Sequence, residues 1–199
     1  MADPIATAGI TAQACRIMEK TPVSSLADGG DLAASLDNQY LPSINFCLAE
    51  YDWSFARKLT VLPPLSALPA GVFADPDLPG TFQLPGDCLV LRKVYPNDLA
   101  YRQDGTLLRA LQTTSLTIRY TAKQTNEAVM PPAFTLLAAY ELALRLAPQW
   151  VGSRTKREDM ATMRGQILVA AQMAERTNAS HFRLDGRDDQ PDWATEAIL

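Results

Sequence analysis

The stretch 130–150, MPPAFTLLAAYELALRLAPQW, limits the possible folds more than any other part of the chain. Pro131 and Pro132 suit a first helical turn, where their missing N–H groups would have no partner anyway, and Pro148 discourages continuation near the end. Phe134, Leu137, Glu141 and Leu144 mark one helical row, and Leu136, Tyr140, Ala143 and Ala147 mark another. Only Glu141 and Arg145 are charged, and their i,i+4 spacing lets them pair on one narrow strip. A helix that is apolar on nearly every side must be covered on nearly every side. The run is too short, and too interrupted by that pair, for a membrane span. Either the rest of the chain or neighbouring copies must wrap it.

A chain of 199 residues with 47% hydrophobic content can bury a sizeable core, which points to one soluble domain or a domain with an appendage. The first residues lack the basic start and apolar run of a secretory signal, so a cytoplasmic place is expected. Cys15, Cys47 and Cys88 are odd in number, widely spaced and without a CxxC, the pattern of buried free thiols rather than a disulfide frame or a zinc site. The net charge of −4 is unevenly spread: 183–199 holds five acids against two bases, leaving −1 on the body. Such a chain has no global basic footprint for nucleic acid, although a local one is left open.

Asp3-Pro4 has the form of an N-cap with proline at the first helical position. The stripe Ile5, Ile10, Ala14, Ile17 and Met18 then predicts a first helix ending near Lys20. After a connection over 21–30, Leu32, Leu36, Tyr40, Ile44, Leu48, Tyr51 and Phe55 recur at helical spacing, with Pro42 expected to kink or split that helix near 39–41. Prolines 63, 64, 69, 76 and 79 make 59–80 a strand entry followed by an exposed loop. Short β-like runs follow at 81–84, 89–95, 107–111 and 116–121, with Asp104-Gly105 as a hairpin signal, giving one small antiparallel sheet. A last helix is expected from Ser153, with Met160, Met163, Ile167, Ala170, Ala171 and Ala174 on its apolar face, packed antiparallel to the central helix. The polar, acidic segment 178–199 is expected to be an extended tail.

Catalytic constellations are mostly missing. His181 is the single histidine and lies near the tail, which excludes paired-His metal motifs and leaves a Ser-His-Asp site with a poorly anchored base. No GxxxxGKS/T, GxGxxG or GxSxG occurs. Asp75 with Asp77, and Asp188 with Asp189, offer hard oxygen ligands, but solvated loop acids are the commoner outcome. Asn178-Ala-Ser180 is a chance sequon match. The expectation is therefore no enzyme, no cofactor, and no catalytic or metal-binding residue.

Residues suited to contact are easier to name. Arg154, Lys156 and Arg157 gather at the start of the last helix, where cations oppose the helix dipole. Two readings stand for them, a solvated face and a contact to an acidic partner or to passing DNA. Met160, Met163 and Met173 read as core fillers, with an adaptable interface as the alternative. Trp53 and Phe55 close the second helix as packing aromatics. Phe182, Trp193, Ile198 and Leu199 are apolar residues in a polar tail, which is either a set of anchors that order on a partner or a merely disordered end.

Trp53-Ser-Phe55-Ala56 after a long helix, FQLPGDCL at 82–89, Ile118-Arg-Tyr120, and the proline-led helix with Tyr140-Glu-Leu-Ala143 together carry a resemblance. They resemble the head-to-tail connector proteins of tailed bacteriophages, nearest in type to the tail tubular protein A, adaptor or gatekeeper group, which also has relatives in gene transfer agents. The similarity runs over about 39–180, and its motifs specify helix ends, a turn and a core rather than a reactive site.

The resemblance implies a mainly α fold: a helical bundle of about four helices, an inserted small antiparallel β-sheet or hairpin domain, and an extended C-terminal tail. The corresponding division is 1–58 for the N-terminal helices, 59–125 for the β-rich insertion with its proline-rich loop, 126–180 for the central and C-terminal helices, and 181–199 for the tail. It further implies a structural virion protein made in a host bacterial cytoplasm. Such a protein forms a ring of about twelve copies in the neck, binds portal above and tail, nozzle or stopper proteins below, and lets DNA pass without sequence-specific binding. No membrane contact is implied. The tail residues Phe182, Trp193, Ile198 and Leu199, with Arg154, Lys156 and Arg157, are the portal-contact candidates. The competing readings are a stopper or tail-completion protein of the neck, an enzyme, and a DNA-binding packaging factor.

Overall fold

The computed structural model describes residues 9–27 and 29–177. The proline-led apolar run forms α3 (Pro132–Trp150), with Pro132 in the first turn. Phe134, Leu137, Ala138, Ala139, Leu142 and Ala143 are fully buried, and burying each large side chain contributes about 2 kcal/mol. The wrapping comes from this chain: α1 (Gly9–Ile17), α2 (Asp31–Glu50) and α4 (Arg154–Thr177) all pack on α3. The alanines keep α3 slim enough for three neighbours. Among the described residues no helix is long and apolar enough to cross a membrane.

α1 stops earlier than Lys20, because Glu19 takes a left-handed φ of 59° and the Lys20 N–H closes on the Cys15 carbonyl. The start expected at Asp3-Pro4 lies outside the described residues. α2 is continuous through Pro42, which corrects the expected kink or split. Pro42 and Asn38 are both exposed, so the carbonyl that loses its donor faces water, while buried Tyr40, Ile44, Cys47 and Leu48 hold the opposite side to the core. α2 also ends at Glu50 rather than Phe55. Trp53 instead precedes, and Phe55 lies in, a short 3₁₀ turn, Ser54–Ala56, and their rings pack edge-on against Phe134 at 5.2 and 4.9 Å.

Between α2 and α3 lie six strands: β1 (Arg57–Leu62), β2 (Gly80–Gln83), β3 (Cys88–Tyr95), β4 (Tyr101–Asp104), β5 (Leu107–Ala110) and β6 (Leu116–Ala122). They form two antiparallel three-stranded sheets, ordered β1-β6-β3 and β2-β5-β4, rather than one small sheet. Helical residues make up 46% and strand residues 20% of the described residues, so the fold is α+β, and the expected mainly α bundle is corrected. The strand segment has its own apolar cluster, centred on Phe82, Leu108, Leu116 and Ile118, distinct from the one around α3. β4 escapes sequence reading because its residues, YRQD, lie at a sheet edge in solvent and need no apolar alternation. The Asp104-Gly105 hairpin is present, with Asp104 paired to Leu107 and Gly105 at φ 63°. Gly80 is required by space: a Cβ there would sit 1.8 Å from the Gln112 carbonyl oxygen.

Candidate functional site

The two apolar clusters meet where α2 ends. β3 carries register shifts between Cys88 and Val90 and between Leu91 and Lys93, and such bulges re-aim side chains. Arg92, next to the second shift, reaches the spent carbonyls of α2: its Nη2 donates to Leu48 O at 3.1 Å, Ala49 O at 3.0 Å and Tyr51 O at 2.8 Å. Its Nε donates to Thr121 Oγ1 at 2.8 Å. A cation at a helix C-terminus is favoured by the dipole and satisfies carbonyls that have no helical donor. Burial pulls the Arg92 guanidinium below its ordinary value, with Asp52 opposing. Asp52 also pairs with Arg57 at 3.2 Å and lies 3.7 Å from Arg119 Nε, which is buried without a hydrogen-bond partner.

The same sheet has a second, open surface beyond this joint. Residues directly opposite in an antiparallel pair share a face. Leu59, Arg119 and Lys93 therefore form one cross-strand row, and Val61, Thr117 and Tyr95 the next. Leu59 is 66% exposed and Val61 60%, on an edge strand with no neighbour beyond it among the described residues. The Lys93 ammonium sits 5.4 Å from the Tyr95 ring centre. The patch thus mixes apolar, aromatic and cationic groups.

On the helical side, the expected Glu141–Arg145 pair forms at 2.7 Å but is part of a larger network. Arg164 of α4 bridges Glu141 at 3.1 Å and Glu50 at 2.5 Å. Both guanidiniums lie over the ring of exposed Phe46, at 5.1 and 5.5 Å. This network fastens α2, α3 and α4 together, and its carboxylates are occupied by their partners.

A shallow depression of about 590 Å³ lies between loop 71–76 and β4–β5. Its charges are satisfied mainly by one another. Arg102 pairs with Asp75 at 2.7 Å and Asp104 at 2.8 Å, and Arg109 pairs with Asp104 and donates to the Phe73 carbonyl. These bonds pin the proline-rich loop and leave the Phe73 ring 83% exposed. Asp75 thus serves as a latch, accepting from Arg102 and from the Asp77 N–H. Among the described residues no group of three or more His, Cys, Asp or Glu side chains is placed to hold a metal ion.

Of the residues named from sequence, only the basic cluster at the start of α4 is among the described residues as a contact candidate. Arg154 pairs with Glu158 at 2.9 Å and Lys156 with Glu19 at 2.8 Å, while Arg157, in the same first turn of α4, makes no ion pair with a described residue. Phe182, Trp193, Ile198, Leu199, His181, Asp188, Asp189 and the 178–180 sequon lie outside the described residues. Met160 is buried as a core filler, but Met163 and Met173 are exposed, together with Val169, which corrects their placement in the core. Cys15 and Cys47 are buried thiols, and Cys88 is half-buried. Sequence reading missed Arg92, Arg119 and Arg164, whose partners lie 23 to 114 positions away and leave no local signal. No protein-family model matches the chain, and no curated protein matches it.

Proposed function

We propose that this chain is a non-enzymatic structural subunit of a tailed-phage neck. In this reading it is an adaptor that assembles as a ring of about twelve copies between portal and tail, through which DNA passes without sequence-specific binding. The observation that carries the reading is the pattern of exposed large apolar side chains. Leu41 and Phe46 on α2, Leu59 and Val61 on β1, and Val169 and Met173 on α4 stand in solvent, although the chain has already filled two apolar clusters. Single exposed apolar residues are ordinary, but repeated pairs on three elements suit a subunit that completes its burial against neighbours. The ionisable groups support the same reading, because the acids and bases of the depression and of the helical network neutralise one another rather than converge on a reacting atom. The resemblance to connector proteins supplies the kind of assembly.

The test mixes the purified chain with portal rings from the same genome and images them by negative-stain electron microscopy. A collar of added density at one pole of the portal is the expected result. Bare portals beside folded protein would overturn the adaptor assignment and favour a stopper or tail-completion role.

A further inference from the structure

β1 pairs with β6 on one side and, among the described residues, with nothing on the other. In an antiparallel pair alternate residues turn their N–H and C=O groups away from the neighbour, so the open edge of β1 carries backbone donors and acceptors ready for another strand. Leu59 and Val61 stand exposed two residues apart, on one face of that same strand. The edge is six residues long, because Pro63 and Pro64 follow it and Pro64 already bridges to Phe82 of the other sheet. The chain itself returns to this edge. The Ser54 N–H, just before β1, donates to Glu175 Oε1 at 2.6 Å, which fixes the last turn of α4 beside the start of the strand. α4 ends at Thr177, and residues 178–199 continue from there. At about 3.3 Å per extended residue, 178–180 can span about 10 Å. The next five residues read His-Phe-Arg-Leu-Asp, so Phe182 and Leu184 alternate with polar neighbours, and Asp185-Gly186 is a turn signal. Their i,i+2 spacing is that of Leu59 and Val61.

We infer that residues 181–185 of the same chain dock on the open edge of β1 as a fourth strand of the β1-β6-β3 sheet, with Phe182 and Leu184 beside Leu59 and Val61. Main-chain hydrogen bonds supply the affinity of such strand addition, and the two apolar pairs set its register. A segment of a second copy is the weaker occupant. It would have to find the edge at its concentration in solution, whereas a segment tethered beside the edge meets it at an effective concentration on the order of mM. The inference stands apart from the neck reading: it takes the β1 pair off the surface left for neighbouring copies and leaves those of α2 and α4.

The test is amide hydrogen exchange of the full chain, read by mass spectrometry, for the parent, Phe182→Asp and Leu59→Asp. Leu59 lies outside both apolar clusters, and the α3 amides report whether each variant is folded. In the parent, peptides covering 181–185 should exchange about tenfold or more slowly than an unstructured chain. Either substitution should return them to the unstructured rate and speed exchange in β1, with α3 unchanged. Exchange of 181–185 at the unstructured rate in the parent, or protection that survives either substitution, would overturn the docking. Protection that disappears when the parent is diluted until sedimentation shows a monomer would overturn it in favour of a second copy.

Discussion

Replacing Glu127 by alanine tests how the first helix is held to the rest. Glu127 lies in the short 3₁₀ turn before α3, is only 7% exposed, and accepts from the Ile10 backbone N–H at 3.2 Å and from the Tyr40 hydroxyl. Ile10 lies in α1, and Glu127 is the described acceptor for its buried N–H. Truncation leaves that donor buried, at about 1–3 kcal/mol, and forfeits about 1 kcal/mol from the second hydrogen bond. The expected loss is about 3 kcal/mol, or a Tm lower by roughly 6–12 °C for a chain of this size. Glu127→Gln keeps an acceptor and should lose about half as much. Urea unfolding with an unchanged m-value measures the total, and hydrogen exchange locates it: α1 amides should lose protection before those of α3. A loss below about 0.5 kcal/mol, or α1 protection unchanged while global stability falls, would refute the reasoning. Gly9→Ala attacks the same contact from the other side, because its Cβ would come within 2.7 Å of Glu127 Oε2.

Arg164→Met should destabilise by about 3 kcal/mol in thermal unfolding, since it strands Glu50 and leaves Glu141 with Arg145 alone, and adding Glu50→Gln should recover part of that loss. The hydrogen bond from Lys58 holds the Asp87 carboxyl below its ordinary range, so its stabilisation is fully present above the unfolded value of about 4 and is lost as pH falls through the lower folded value; Asp87→Asn should flatten the acid limb of stability against pH. Burial raises all three thiols, Cys47 to about 12, so access decides the order: alkylation at pH 8 followed by mass spectrometry should label half-buried Cys88 first and the other two only on unfolding. Gly80→Ala should cost about 2 kcal/mol or more in urea, because the clash is with the Gln112 backbone and no side chain can swing aside.

Legibility in the sequence followed the range of the interaction. The coverage of α3 and the Glu141–Arg145 pair could be read because both depend on residues within one turn or one helical face. The Asp104-Gly105 turn was equally local. Pro42 misled because its rule concerns an isolated helix, whereas here the lost hydrogen bond falls on the wet side and core contacts hold the other. Met163 and Met173 misled because apolar spacing shows which residues share a face and not whether anything covers it. β4 stayed hidden because an edge strand in water needs no apolar pattern. Of the candidate surface, Leu59 and Val61 alternate visibly, but their union with Arg119 and Lys93 depends on strand register, which a β-bulge shifts.

The chain order of the helical core also sets a timetable. α1 and α2 precede the strands and α3 and α4 follow them, and the Ile10–Glu127 bond closes a separation of 117 residues. During synthesis the strand segment can close on nearer contacts while Leu36, Ile44 and Leu48 wait uncovered for a helix not yet made. At elongation rates of about 5–20 residues per second that wait lasts on the order of 5–20 s, long enough for chaperones to engage. The most buried helix is thus among the last to arrive, and only the C-terminal part of the nascent chain can seal what the N-terminal part has already laid down.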